Sequence, residues 1–350
     1  MHADVNDRFL RACRRQPVDT TPVWIMRQAG RYLPQYRAIR GKTTFLGLCK
    51  TPELAAEVTL QPVDFLGVDA AILFSDILIP VEAMGVPLEF HAGEGPVLPQ
   101  PVRNAADVEK LAVFDPEDRT PFTLEAIRQT VKALDGRVPL IGFAGAPFTL
   151  AAYMVEGGSS KNWLTLRRMM AAQPEIAHAL FSKIADTIGQ YLVAQIDAGC
   201  QAVQIFDSWG GELGPADFER WTVPYVSRIV QTVKSRHPEV PVIFFGTNMN
   251  TLLSRMKPIG ADVIGLDWRI ELDVAREILG PDVAVQGNLD PTALFLPREE
   301  LAERIADVMR RNAGRPGHIF NLGHGITPPT DPEAAKFLVS EVHRLGASRS

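Results

Sequence analysis

PVWIM, residues 22–26, is a short apolar run that breaks off in the charged stretch RQAGRYLP, residues 27–34. A half-exposed strand would alternate apolar and polar positions, so an unbroken run of this length reads as a strand buried on both faces. Runs of the same kind recur along the chain: AAILF (70–74), VPLIGF (138–143), AVQIF (202–206), VPVIFF (240–245), VIGL (263–266), VAV (283–285) and HIFNL (318–322). Helical patterns separate most of them. Thr51-Pro52 caps and opens a helix over 53–65, a long amphipathic stretch covers 174–196, 217–234 and 298–311 follow the same pattern, and 332–345 closes the chain. Eight strand runs alternating with helices predict an α/β fold of the (β/α)8 or TIM-barrel class.

Two segments stand outside this rhythm. Residues 86–102, with His91-Ala92-Gly93-Glu94-Gly95 at their centre, read as a small hairpin inserted after the second strand. Residues 145–173 read as a long loop on the catalytic side of the barrel. A length of 350 residues alone would suggest about two domains. A barrel with extra loops accommodates that length as one, and no repeat, low-complexity tract or linker cuts the chain, so a single domain over 1–350 is expected.

The charge is lopsided. Between Arg8 and Lys50 ten lysines and arginines face Asp19 alone, yet the whole chain carries a formal net charge of -5. A local cationic field in an acidic protein points to an anionic ligand rather than to nucleic acid, which would favour a basic domain overall. The N-terminus MHADVNDRFLRACRR has charges where a secretory signal needs an apolar core, and no apolar stretch is long enough to span a bilayer, so a cytoplasmic protein without membrane contact is expected. Cys13, Cys49 and Cys200 are odd in number and far apart, which reads as reduced, buried thiols.

In a barrel of this kind the chemistry sits at the C-terminal ends of the strands. The first polar residues after the apolar runs are Arg27, Asp76, the loop from Gly145, Asp207-Ser208, Thr247, Asp267, Asn288 and His324. They contain no paired-histidine spacing and no His/Cys cluster for a transition metal, and neither a GxGxxG nor a Walker A loop, so no metal and no cofactor is expected. A Ser-His-Asp triad of Ser208, His324 and Asp76 lacks the nucleophile elbow that would support it.

These residues lie in stretches that together resemble the uroporphyrinogen decarboxylase family. PVWIMRQAGRYLPQYR (22–37) and GAPFTLAAYMVEGG (145–158) resemble its two signatures. LFSDIL (73–78), GLDW (265–268), QGNLDP (286–291) and FNLGHG (320–325) fall in its order and spacing. The resemblance implies a cofactor-independent carboxy-lyase that converts the four acetates of uroporphyrinogen III to methyl groups, giving coproporphyrinogen III in haem and chlorophyll biosynthesis. It also implies a homodimer. By motif match the implied substrate-binding residues are Arg27, Gln28, Ala29, Gly30, Arg31, Arg40, Asp76, Tyr153, Ser208 and His324, with Asp76, Arg27 and Tyr153 catalytic. Two details depart from the family's common pattern: Gln35 stands where glutamate is usual, and Gly246-Thr247-Asn248 replaces a lysine and glycines.

The chemistry suits these residue types. Loss of carbon dioxide leaves an electron pair that a protonated pyrrole of the substrate can itself accept. The protein then needs a fixed carboxylate facing that cation, and arginines to clamp a polycarboxylate. Each residue also has a plainer reading. Asp76 could cap a helix or pair with an arginine, Arg27 and Arg31 could be surface charges, and Tyr153 could be core. Ser208 could cap the helix beginning near Pro215, and His324 could be a structural histidine. Arg27, Tyr153 and water all remain open as proton donor. Two rival functions are a corrinoid-linked methyltransferase, whose zinc ligands would include a cysteine that residues 260–325 lack, and a non-catalytic tetrapyrrole carrier.

Overall fold

Seven of the eight apolar runs form one parallel sheet in a computed structural model of the chain, which describes residues 6–91 and 95–347. In chain order the strands are β1 (Ala71–Ile72), β2 (Glu89–His91), β3 (Gly95–Val97), β4 (Leu140–Gly145), β5 (Ala202–Asp207), β6 (Val242–Gly246), β7 (Val263–Gly265), β8 (Ala284–Gln286) and β9 (His318–Ile319). The large sheet runs β1-β4-β5-β6-β7-β8-β9, every pair parallel, and β2 and β3 form the separate antiparallel hairpin predicted as an insertion. Ala92, Gly93 and Glu94 at the tip of that hairpin, and the first five residues of the charged N-terminus, lie outside the described residues.

The first apolar run departs from expectation. Residues 22–26 make only an isolated parallel bridge, Val23 to Phe320, in place of a full strand. They nevertheless occupy the eighth staff's position. The Phe320 amide donates to the Pro22 carbonyl (2.8 Å) and the Asp69 amide to the Val23 carbonyl (2.8 Å), so the segment links the two edges of the sheet and closes the barrel. Trp24 N also donates to the Phe320 carbonyl (3.3 Å), and side chains take up the other amides of the segment. Asp69 Oδ2 accepts from Val23 N (2.8 Å), Gln28 Oε1 from Ile25 N (3.0 Å) and Asn321 Oδ1 from Met26 N (2.9 Å). Buried amides need partners, and here carboxylate and carboxamide oxygens substitute for ladder carbonyls.

Two apolar cores follow from closure. One lies between the sheet and the surrounding helices, of which Pro52–Leu66, Pro174–Asp197, Val223–Arg236, Arg298–Asn312 and Pro332–Gly346 are the longer predicted ones. The other fills the barrel interior with Trp24, Met26, Ile72, Ile141, Ile243, Phe245 and Ile319, and is plugged by Phe9, Ala12 and Cys13 of the helix Arg8–Cys13. Strand residues therefore bury both faces, which is why their runs are continuous rather than alternating.

The helix expected over 217–234 is broken into Pro215–Trp221 and Val223–Arg236. Pro224 has no amide to donate to the turn before it and its ring crowds that turn, so the ladder restarts at Thr222. The expected loop 145–173 instead holds two helices, Pro147–Glu156 and Leu164–Ala172. Its signals were local ones: proline at the first helical position and Gly157 in the left-handed conformation (φ 85°) past the end. The hairpin leans on this segment, since Val97 bridges to Gly158 and Leu98 N donates to Gly157 O (2.9 Å).

Candidate active site

The chain turns sharply after the closing segment. Gln28 N donates to Ile25 O (2.8 Å), and Arg27 adopts a left-handed backbone (φ 63°) that side chains other than glycine rarely take. Gly30 permits the turn, because a Cβ there would meet the Arg27 carbonyl at 2.8 Å. The turn lifts the Arg27 side chain to the exposed rim and lays its stem across Gly325. A Cβ on Gly325 would come within 2.8 Å of Arg27 Cγ and 2.9 Å of Nε. Such a backbone held at a rim is the kind of local strain that recurs at functional sites.

Gln28 goes the other way. It is fully buried, and its amide joins Ile25 N to the Ala70 carbonyl (3.0 Å), so its side chain holds the closing segment to β1 and is spent on the backbone. Any contact Gln28 makes with a ligand therefore falls to its main chain in the turn. Ala29 and Gly30 are half-buried in the turn, and Arg31 is exposed. Arg40 ends the helix Pro34–Arg40 and donates to the Thr43 carbonyl, and its charge is felt at Tyr36 and Cys49.

Asp76 follows β1 in the loop leading to the helix Ile79–Ala83. One of its oxygens accepts from Leu78 N (2.8 Å), a turn bond ahead of that helix, which has no side-chain cap. Its carboxyl keeps some accessible surface but is densely enclosed by protein, and burial pushes its pKa up to about 6 against the opposing pull of the Leu78 amide and the Arg27 charge. Arg27 is thus the cation that acts on Asp76. A carboxylate poised in this way is a common property of catalytic groups.

Tyr153, on the helix Pro147–Glu156, is half-buried and packs edge-on against Trp163 (5.3 Å between centroids) and Trp209 (6.3 Å). Burial raises its phenol pKa, Asp76 pushes in the same direction and Arg27 opposes it, so the three groups share one electrostatic environment. Ser208 follows β5 and is half-buried. It does not cap the next helix, whose N-terminal flank is Gly214 with no side-chain bond. Beside it the buried Asp207 accepts from Thr149 Oγ1 (2.6 Å), which accepts in turn from Trp209 N (3.1 Å), tying the Ser208 turn to the Tyr153 helix.

His324 faces the same mouth from the loop after β9. Burial lowers its pKa to about 4, helped by the charges of Arg27 and Arg269 and opposed by Asp267, so the imidazole is neutral at ordinary pH. Its flanking glycines admit close neighbours. Besides the Arg27 stem over Gly325, a Cβ on Gly323 would sit 2.9 Å from the Asp267 carbonyl carbon and 3.0 Å from Trp268 Cβ. Asp267 is buried and accepts from Arg269 N (2.9 Å), Arg269 (2.7 Å), Asn250 (3.2 Å) and Asn248 N. The departure noted at Gly246-Thr247-Asn248 therefore lies on the loop that holds Asp267. Asn288 donates to the Asp267 and Ile270 carbonyls and is a strut.

Arg27, Asp76, Tyr153 and His324 come together electrostatically. Two features of the mouth were not picked out from sequence. One is an aromatic band in which Phe143 meets Phe206 (5.6 Å), Phe206 meets Phe245 (6.0 Å) and Phe245 meets His324 (6.5 Å). Phe143, Phe206 and Phe245 lie near the C-terminal ends of β4, β5 and β6, where an apolar run marks strand and gives no separate signal for a ligand surface. The other is Arg269, two residues beyond a strand-end aspartate. Among the described residues no group of three or more His, Cys, Asp or Glu side chains is placed to hold a metal ion, and no helix is long and apolar enough to cross a membrane.

Comparison with known proteins places this geometry. The chain is similar to the methyltransferase from Methanosarcina mazei, with a TM-score of 0.81 at 21% identity over 97% of this chain and 98% of that one, a likeness of fold alone. It is 64% identical over 98% of both chains to the uroporphyrinogen decarboxylase of Myxococcus xanthus, and 58% identical to that of Trichlorobacter lovleyi over 97% of this chain and 99% of that one. The model of the family described as uroporphyrinogen decarboxylase (URO-D) matches residues 4–345. With its (β/α)8 barrel and relatives of this identity along nearly its whole length, the chain belongs to the uroporphyrinogen decarboxylase family.

Proposed function

We propose that this protein is a carboxy-lyase of tetrapyrrole biosynthesis that removes carbon dioxide from the four acetate side chains of uroporphyrinogen III, leaving methyl groups and coproporphyrinogen III. The observation that carries the reading is the meeting of Asp76 and Arg27 at one apolar barrel mouth, an enclosed carboxylate whose charge is favoured by a rim guanidinium.

The reaction places three demands on the protein. A proton adds to a pyrrole ring carbon beside the acetate, giving an iminium-like cation. The acetate C–C bond breaks, carbon dioxide leaves, and its electron pair enters that cation. A second proton then reaches the former acetate carbon, making the methyl group, while the ring returns the first. Asp76 in its ionised form faces the pyrrole N–H groups and the transient positive charge, which fixed opposite charge stabilises strongly where water is excluded. Arg27, with its planar fork of donors, orients the reacting acetate. Tyr153 keeps its proton and His324 stays neutral, so both present hydrogen-bonding groups without adding charge. Phe143 and Phe206, both partly buried, supply an apolar bed for the macrocycle, with the buried Phe245 packed behind Phe206. Ala29, Gly30, Arg31, Arg40 and Ser208 complete the binding set of this reading, Arg31 and Arg40 as outer cations that draw in a polycarboxylate.

We infer further that residues 1–350 act as one domain, in the cytoplasm, and that two copies associate. The hairpin and the segment around Leu164, whose side chain is largely exposed, offer the apolar surface for that pairing.

The deciding experiment is anaerobic incubation of the protein with freshly reduced uroporphyrinogen III, then oxidation and chromatographic separation of the eight- to four-carboxylate porphyrins, with Asp76→Asn in parallel. Conversion by the wild type and not by the variant is expected. Tight binding without loss of carboxylates would replace the enzyme by a carrier.

A further inference from the structure

Uroporphyrinogen carries eight carboxylates around its rim, four acetates and four propionates, and Arg27 occupies one side of the mouth. Across the His324 loop stands a second guanidinium. Arg269 is fixed on two sides: one donor reaches Asp267 Oδ2 (2.7 Å), and its Cζ lies 4.0 Å from the centroid of the Trp268 ring. Asp267 itself is saturated by the two Arg269 donors together with Asn248 N and Asn250 Nδ2. The Arg269 side chain is 42% exposed, and its remaining guanidinium donors meet no other acceptor among the described residues. A guanidinium clamped by a buried carboxylate and an indole face loses little freedom when it meets a ligand, which is the arrangement expected of a carboxylate anchor.

We propose that Arg269 is a second carboxylate anchor of this enzyme, receiving a rim carboxylate of the macrocycle on the His324 side while Arg27 handles the reacting acetate on the other. The proposal rests on the decarboxylase reading above. The two glycines beside His324 fix the placement: Gly323 packs against Asp267 and Trp268, the residues just before Arg269, and Gly325 against the Arg27 stem, so both arginines flank the His324 loop. Each turnover removes one acetate and leaves every propionate. Every pyrrole carries a propionate, so an anchor that engages a propionate finds an equivalent group each time the macrocycle turns to bring its next acetate to Arg27.

The test compares wild type, Arg269→Leu and Arg269→Gln under anaerobic turnover of uroporphyrinogen III, with thermal unfolding measured on each. The expected result is a KM raised about five- to twenty-fold in both variants. The kcat of the first decarboxylation should stay within about two-fold, and seven- to five-carboxylate intermediates should accumulate. Arg269→Lys should recover part of the loss. Should Arg269→Leu unfold early, Arg269→Gln, which keeps a neutral donor towards Asp267, carries the comparison. An unchanged KM in a folded variant beside a normal wild type would overturn the anchor alone. A fall in kcat with KM unchanged would overturn it too, since Arg269 would then act through His324. No turnover by the wild type would overturn the decarboxylase reading and the anchor with it.

Discussion

Arg27 and Gly325 share one space: the arginine stem lies where any side chain at 325 would have to go. The rim guanidinium is thus positioned from beneath by the absence of an atom, and the left-handed backbone at Arg27 (φ 63°) is held in place by that contact and by the amide of Ile326 donating to Met26 O (2.9 Å).

Gly325→Ala should therefore act on catalysis more than on folding. Its methyl group displaces Arg27 by a fraction of an ångström or more, and misplacement on that scale costs about a hundred-fold in rate when a positioning group is involved. We expect kcat/KM to drop by roughly ten- to hundred-fold with the fold retained by circular dichroism. A variant with full activity would show that the stem contact is dispensable.

Arg27→Lys keeps the charge and loses the planar fork. Turnover should fall by about ten-fold or more if the acetate is held bidentately. Near-native kinetics would remove the clamp from the mechanism.

Asp76 should set the acid limb of the pH profile. Its carboxyl titrates at about 6 and His324 at about 4, so kcat/KM is expected to decline as pH falls through about 6 because the ionised carboxylate is lost. Asp207 also titrates at about 6, and Asp207→Asn is the control that separates the two. A limb that persists unchanged in Asp207→Asn and coincides with the Asp76 titration followed by NMR supports the assignment. The stability consequence has the opposite sign. Because the folded value lies above the ordinary 3.8, the charged form is the one the fold disfavours, and this group's stabilising contribution is present below about pH 4 and lost as pH rises through 6. Asp76→Asn should accordingly be inactive yet more stable at pH 7, by about 1–3 kcal/mol.

Gln28→Ala should show its effect in denaturation. It removes two buried hydrogen bonds and orphans Ile25 N and Ala70 O, for a loss of roughly 2–4 kcal/mol. Unchanged stability with a weakened KM would return Gln28 to the ligand-contacting set.

Much of the fold was legible because a barrel strand buried on both faces writes a continuous apolar run, and seven such runs became ladder strands. The eighth, 22–26, carried the same pattern without the ladder, since a run of apolar residues records burial and not the partner of each amide. The helices at Pro147–Glu156 and Leu164–Ala172 were hidden by reading for long loops, although proline and glycine marked the first of them. Strand-end polarity was a sound guide to Arg27, Asp76 and His324, whose side chains converge on one mouth. It does not tell a side chain that points out from one that turns back, as Gln28 does, and it marks only the first polar residue after a run, so Arg269 stands hidden behind Asp267.

The seam at residues 22–26 has an implication for motion. Main-chain bonds to Phe320 and Ile326 hold one side of this segment, but a single one, Asp69 N to Val23 O, holds the other, and the side chains of Asp69, Gln28 and Asn321 fasten the remaining amides. Opening the wall between this segment and β1 breaks fewer main-chain bonds than parting β4 from β5 or β5 from β6, so the amides of Val23, Ile25 and Met26 should exchange with deuterated solvent ahead of those of β4 to β6. The segment that unzips first is also the one that ends in Arg27, and breathing of the barrel would thereby loosen the enzyme's grip on its substrate before the rest of the wall has moved.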